Sequence, residues 1–223
     1  MSEKQNSLYG KMNEKQYHHG DLKNALINAG IEILAKEGVQ GLSLRKLASH
    51  AGVSHAAPYA HFSNKQALIA AISAAGHANL YDKVAEIIRH YPDDPLKQLV
   101  EVAWAYVKFG FDAPAHFRLV FSGILENESG YPELVTIAKK NFQAVREIVT
   151  RCQAAGILAQ GDPDLAAVGV WGLVHGFILL IQEGQISHSL TEHYSLRGML
   201  LVTLNQVSRV GIDLREFGEG FDD

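Results

Sequence analysis

Apolar residues recur at intervals of three and four from the first quarter of the chain onward, beginning with Leu22, Ala25, Leu26, Ala29, Ile33 and Leu34. That period lays one apolar stripe along a helix, with Asp21 available as N-cap and Gly38 just past the end. Ser43 opens a shorter helix carrying Leu44, Leu47, Ala48 and Ala51 on one face, and Gly52 stops it. Ser54 then offers itself as the next cap, so the stretch reads as helix, glycine turn and helix, a helix-turn-helix. Gly52 supplies a left-handed backbone at little cost, and Val53 can plug the angle between the two helices.

A fourth helix starts near Asn64, where Ser63 and Gln66 can form a capping box, and runs through Leu68, Ile72, Leu80, Val84 and Ile87 to about His90. Proline and glycine punctuate further helical runs at 95–110, 115–122, 132–155, 163–184 and 190–209. Pro95, Pro132 and Pro163 fall in expected first turns, where a missing N–H is harmless. No stretch alternates as a strand does. The expected fold class is all-α, with about nine helices.

Composition adds domain organisation. At 223 residues, 47% hydrophobic and 20% charged, the chain has room for a small unit joined to a larger one and is folded nearly throughout. The expected division is a basic arm at 1–16, a helix-turn-helix head at 17–65, a helical body at 66–212 and an acidic tail at 213–223. The single cysteine, Cys152, excludes an internal disulfide, and the N-terminus has no apolar signal-peptide core, which together fit the cytoplasm. "LAAVGVWGLVHGFILLI", residues 165–181, runs 17 residues without a formal charge. That is short of the ~20 needed to span a bilayer and lacks a flanking basic cluster, so a buried helix is expected.

Charge is unevenly spread. Residues 1–65 hold eight Lys/Arg against five acids, a balance of +3, whereas the remainder carries twelve against nineteen, a balance of −7. A basic head suits a polyanion, and the acidic body suits another task. In a helix-turn-helix the second helix presents its front to base edges, which makes 54–61 the reader, and a dimer of such heads meets a palindromic site. His55 is the one side chain at that front able to bond a base edge, and Arg45 and Lys46 approach from the preceding helix. Ser43 and Ser54 sit at the two helix starts, and Ala57, without polar atoms, permits close approach. Pro58 leaves two readings open. Either it lies in the first turn of a helix capped by Ser54, distorting it, or the helix starts later with Pro58 at its first position.

The run Ala51-Gly52-Val53-Ser54 followed by Tyr59-Ala60-His61-Phe62-Ser63-Asn64-Lys65 resembles the DNA-binding domain of TetR-family transcriptional regulators, over residues 17 to 75. Trp171, His175 and Gly176 resemble a subgroup with a WHG-type C-terminal domain. The resemblance implies a homodimeric repressor that grips a double-stranded operator with its N-terminal helices and is released by a small molecule bound in its C-terminal helices. It also implies that Tyr59, His61 and Lys65 hold the sugar-phosphate backbone. Ala60 departs from the larger or basic residue frequent there, which removes one such contact.

By the same resemblance, the 165–181 and 190–209 helices form a four-helix dimer interface, with Gly172 and Gly176 allowing close approach and Leu196, Leu200 and Leu204 supplying apolar surface. The alternative is that these residues are intrachain core. Trp104, Phe117, Phe121, Trp171 and His175 are the candidate effector-binding residues, His175 as the polar handle, and the acidic body favours a neutral or weakly cationic effector. His18, His19, His50, His55 and His61 lack the compact ligand spacing of a metal site, so no metal or cofactor is expected. No paired nucleophile, carboxylate partner or phosphate loop accompanies the histidines, so no enzyme is expected either. A helical DNA-binding architectural protein without an effector is the competing reading.

Overall fold

The computed structural model describes residues 19–213 and 215–217. The expected arm at 1–16 and most of the tail lie outside them. Nine α-helices follow one another: α1 His19–Gly41, α2 Leu44–Ala51, α3 Lys65–His90, α4 Pro95–Asp112, α5 Pro114–Phe121, α6 Pro132–Ala154, α7 Pro163–Gln182, α8 His188–His193 and α9 Leu196–Asn205. Two short 3-10 turns, Ala57–Ala60 and Glu128–Gly130, interrupt them. Among the described residues no strand forms, only an isolated antiparallel bridge between Leu158 and Ser208.

The chain is all-α as expected, although two departures offset each other in the helix count. The expected reading helix at 54–61 is not α-helical, and the run expected at 190–209 is two helices, because Ser195 adopts an extended backbone and caps α9 by accepting from Gly198 N–H. Local signals otherwise act as read. Ser43 accepts from Lys46 N–H at 3.2 Å, and Gly52, at φ 68°, lets its own N–H and that of Val53 close on the Ser49 and Ala48 carbonyls. Four helices carry proline in their first turn. Gly38, at φ 66°, breaks α1 where its end was expected, and one more turn follows it. α1 begins two residues before Asp21. Asn64 rather than Ser63 caps α3, accepting from Ala67 N–H at 2.9 Å, because the helix starts one residue later than a Ser63–Gln66 box requires.

Three apolar clusters hold the fold. Leu26, Ile33, Leu47, Phe62, Leu68 and Ile72 form the head core, to which α5 contributes Leu119. Val107, Phe117, Ile178, Leu200 and Leu204 join α4, α5, α7 and α9, and the C-terminal segment adds Ile212 and Phe217. Val84, Leu99, Ile148, Val149, Cys152 and Ala167 join α3, α4, α6 and α7. Cys152 is inert packing, since burial pushes its thiol up to about 12 and the S–H points at the Pro95 carbonyl.

The expectation that 165–181 is a buried helix holds for one face only. α7 buries Ala167, Val170, Val174, Phe177 and Ile178, while Leu165, Val168 and Leu180 are half or more exposed. It is long and apolar enough to cross a membrane, but the body covers one side of it, which a membrane span does not require.

Candidate nucleic-acid interface and ligand cavity

The reading element takes its form from Pro58. A proline cannot donate to the carbonyl four residues back, so the Ser54 carbonyl accepts from Ala57 N–H at 3.0 Å instead. Successive bonds from Tyr59 to Ala56 and from His61 to Pro58 keep the segment wound as a 3-10 turn with Pro58 at its start. The open question about Pro58 is thus answered in favour of a late start, though as a 3-10 turn. The ring itself is buried and helps anchor the turn.

This winding turns Ser54, His55 and Ala56 outward and leaves Ala57 half-buried. Tyr59 is 60% exposed, unusual for a large ring that could pack, and stands free of the core. His61 is half-buried with its ring tilted over Phe62 at 6.3 Å, and Lys65 is the first residue of α3. From α2, Leu44 and Leu47 point into the core and Arg45 points out. Lys46 pairs with Glu37 of α1, and no ion pair of Arg45 is found among the described residues. Ser43 spends an oxygen lone pair on its cap and keeps its hydroxyl hydrogen to donate. All nine expected DNA-contacting residues therefore sit along one stretch from the start of α2 to the start of α3. His50 is turned toward α1, its Nε2 2.8 Å from Glu32, and that hydrogen bond holds the Glu32 carboxyl below its ordinary value.

Between α3, α4, α6 and α7 lies a cavity of 340 Å³, closed on one side by Val120 and Phe121 of α5. Its walls are apolar, including Leu80, Val102, Phe142 and Val145, with His77, Tyr106 and Asn141 as polar groups. Trp171 Nε1–H donates to Tyr106 Oη at 2.9 Å, and Tyr106 Oη lies 2.8 Å from His175 Nδ1. The phenol has a single hydrogen, so it goes to Nδ1, and His175 carries its own on Nε2. Burial raises the Tyr106 phenol above its ordinary value and lowers His175. Burial, then the neighbouring His116, brings His77 down to about 4. His116 is itself lowered by burial, although Nε2 bonds the Ile72 carbonyl at 2.9 Å.

Of the five residues expected to bind an effector, Phe121 and Trp171 line this cavity. Phe117 does not, because at 0% exposure it fills the central core between the rings of Tyr106, Phe109 and Phe121. Trp104 lies against the Arg197 guanidinium at 5.2 Å, and His175 stands behind Tyr106 rather than on the wall. Sequence reasoning missed His77, Asn141 and Tyr106 as cavity groups. A lone polar residue inside a helical run looks like any surface position.

The expected interface residues divide as well. Gly172 and Gly176 face open space, where an added Cβ would meet nothing within 4 Å. Leu200 and Leu204 must be withdrawn as interface residues, since both are 0% exposed within the subunit. Leu196 is half-buried against the same core. The outward residue of α9 is Val202, 49% exposed, on the side opposite Leu200 and Leu204. A stripe of exposed Leu165, Val168, Gly172 and Leu180 on α7 was legible from its spacing of three, four and eight.

Two family profiles match the chain. One, bacterial regulatory proteins of the tetR family, covers residues 26–72, and the other, a tetracyclin repressor-like C-terminal domain, covers 99–202. The chain belongs to the TetR family. The HTH-type transcriptional regulator YobS of Bacillus subtilis is 26% identical over 164 residues, 74% of this chain and 81% of that protein. The class A tetracycline repressor from transposon 1721 in Escherichia coli is 46% identical over 52 residues, 23% of this chain and 24% of that one. Among solved structures, a protein of unknown function from Rhodococcus superposes with a TM-score of 0.71 at 28% identity, covering 88% of this chain and all of that one. FadR of Bacillus subtilis, in complex with stearoyl-CoA, superposes at 0.67 with 18% identity, over 85% and 99% of the two chains, a likeness of fold. This TetR-family chain is a transcriptional regulator with a helix-turn-helix DNA-binding domain, and its family is one of regulators rather than enzymes.

Proposed function

We propose that this regulator is a homodimeric repressor, acting in the cytoplasm, that leaves a palindromic operator when a small, mainly apolar molecule enters the body cavity. One observation carries the reading: α5 belongs to both regions, giving Leu119 to the head core and Phe121 to the cavity wall. Gly76 of α3 lets α5 approach closely, since a Cβ there would come within 2.7 Å of Val120 and 2.8 Å of His116. A ligand that moves Phe121 therefore moves a helix on which the head rests. Differential affinity for two head placements converts binding energy into lost operator affinity. This favours an effector-responsive regulator over an architectural protein.

The division at 17–65 and 66–212 becomes a division between reading and control. In the head, Arg45 and His55 read base edges. Ser43, Lys46, Ser54, Tyr59, His61 and Lys65 hold the phosphate backbone, and Ala57 allows the approach. In the body, the exposed stripe of α7 with Val202 of α9 forms the seam between two copies, with Gly172 and Gly176 at the closest approach. Leu165→Glu with Val168→Glu should then yield monomers in analytical ultracentrifugation.

The decisive experiment selects bound DNA from a random library and titrates the recovered operator. Arg45→Ala should cost about 1–3 kcal/mol of operator binding, roughly tenfold or more, and lower non-specific binding far less. Unchanged discrimination between operator and random DNA would falsify the reader assignment.

A further inference from the structure

The chemistry of the cavity wall constrains what can enter it, on the reading that the cavity is the effector site. Asn141 of α6 is 8% exposed. Its Nδ2 donates to the His77 carbonyl at 2.7 Å and to the Ile137 carbonyl at 3.3 Å. Two acceptors on the same side settle the orientation of the amide, because the flipped form would press Oδ1 against both oxygens. Oδ1 is thus turned away from them, and it has no donor within the protein. Buried acceptors of this kind are nearly always paired.

The neighbouring polar groups supply no substitute. His77 approaches the same Asn141 Nδ2 with its Nδ1 at 3.5 Å, so that nitrogen is an acceptor too. The Tyr106 hydrogen is committed to His175. None of the described lining residues is Lys or Arg, and the charged one is Glu128. An anion entering here would lose its hydration without gaining a countercharge. The volume of 340 Å³ lies at the small end of ligand sites, which run from about 300 to 1,000 Å³.

We propose that the effector is a compact apolar molecule that brings a hydroxyl or N–H donor to Asn141 Oδ1 and carries no anionic group. The donor completes the buried amide, and the apolar walls take the rest of the molecule.

Three probes on one ring system test this by calorimetry with the full-length protein: 2-naphthol, 2-methoxynaphthalene, which keeps the shape and loses the donor, and 2-naphthoate, which adds an anion. 2-Naphthol should bind tightest, with the ether roughly tenfold weaker and the carboxylate weaker again. Asn141→Leu should remove the preference for the naphthol while retaining the ether, whose binding reports an intact cavity. Should that variant not fold, the wild-type ratios decide alone. Equal affinities for naphthol and ether would overturn the role of Asn141, and a preference for the carboxylate would overturn the exclusion of anions, each leaving the cavity as a binding site. Absence of binding by all three up to millimolar concentration would overturn the effector-site reading together with the ligand class.

Discussion

In the head, Leu26, Leu47, Phe62 and Ile72 are at most 2% exposed and belong to one apolar cluster, whereas the interior between α3, α4, α6 and α7 keeps His77, Asn141 and a cavity. The buried polar side chains among the described residues all come from Ser73 onward, including the Glu101–Arg197 pair and Gln98. One chain therefore builds two kinds of core. A reader of DNA needs a single geometry, and dense apolar packing supplies it. A ligand site needs room and unspent hydrogen-bonding capacity, both of which cost stability when empty. The cost falls where the function requires it.

Truncation should expose the contrast most strongly. Phe62→Ala in the filled head should cost about 3–5 kcal/mol in urea unfolding. Phe142→Ala, at the half-buried cavity wall, should cost less than half as much, and equal losses would erase the distinction. Acid should then separate the two regions. His77 falls from 6.5 to about 4 on folding, so between those values the unfolded chain holds a proton that the folded chain does not. Stability rises with pH across that window and is lost on acidification, by up to about 3 kcal/mol, with His116 and His175 adding in the same sense. A stability–pH curve equally steep for His77→Gln would refute this origin.

Two smaller effects sharpen the comparison where the regions meet. Gly76→Ala drives a methyl into Val120 and His116 and should cost about 1–3 kcal/mol, with an altered operator affinity that a purely local repacking would not produce. Asn64→Ala removes the cap of α3 and should cost about 1 kcal/mol by thermal unfolding.

What could be read along the chain was whatever acts over one or two turns. Ser43, Gly52 and the prolines at 95, 132 and 163 do their work within four residues, and the structure finds them doing it. Pro58 was readable as a disturbance, but the outcome depended on which donor reached the Ser54 carbonyl, and Ala57 took it. α9 is apolar nearly all round, at Leu196, Met199, Leu200, Leu201, Val202 and Leu204, so its pattern cannot say which face turns inward. α4 and α7 cover Leu200 and Leu204, which is why these belong to the core and Val202 does not.

The sequence by itself determined the helices, their caps, the helix-turn-helix, the basic head and the family. Tertiary structure alone decided the cavity, the orphaned oxygen of Asn141, the relay from Trp171 through Tyr106 to His175, and the outward face of α7. The reason is range. Helical period and capping arise between residues three or four apart, whereas burial, room and an unpaired acceptor are set by elements that meet across 60 or more residues, as His77 and Asn141 do with |i−j| of 64.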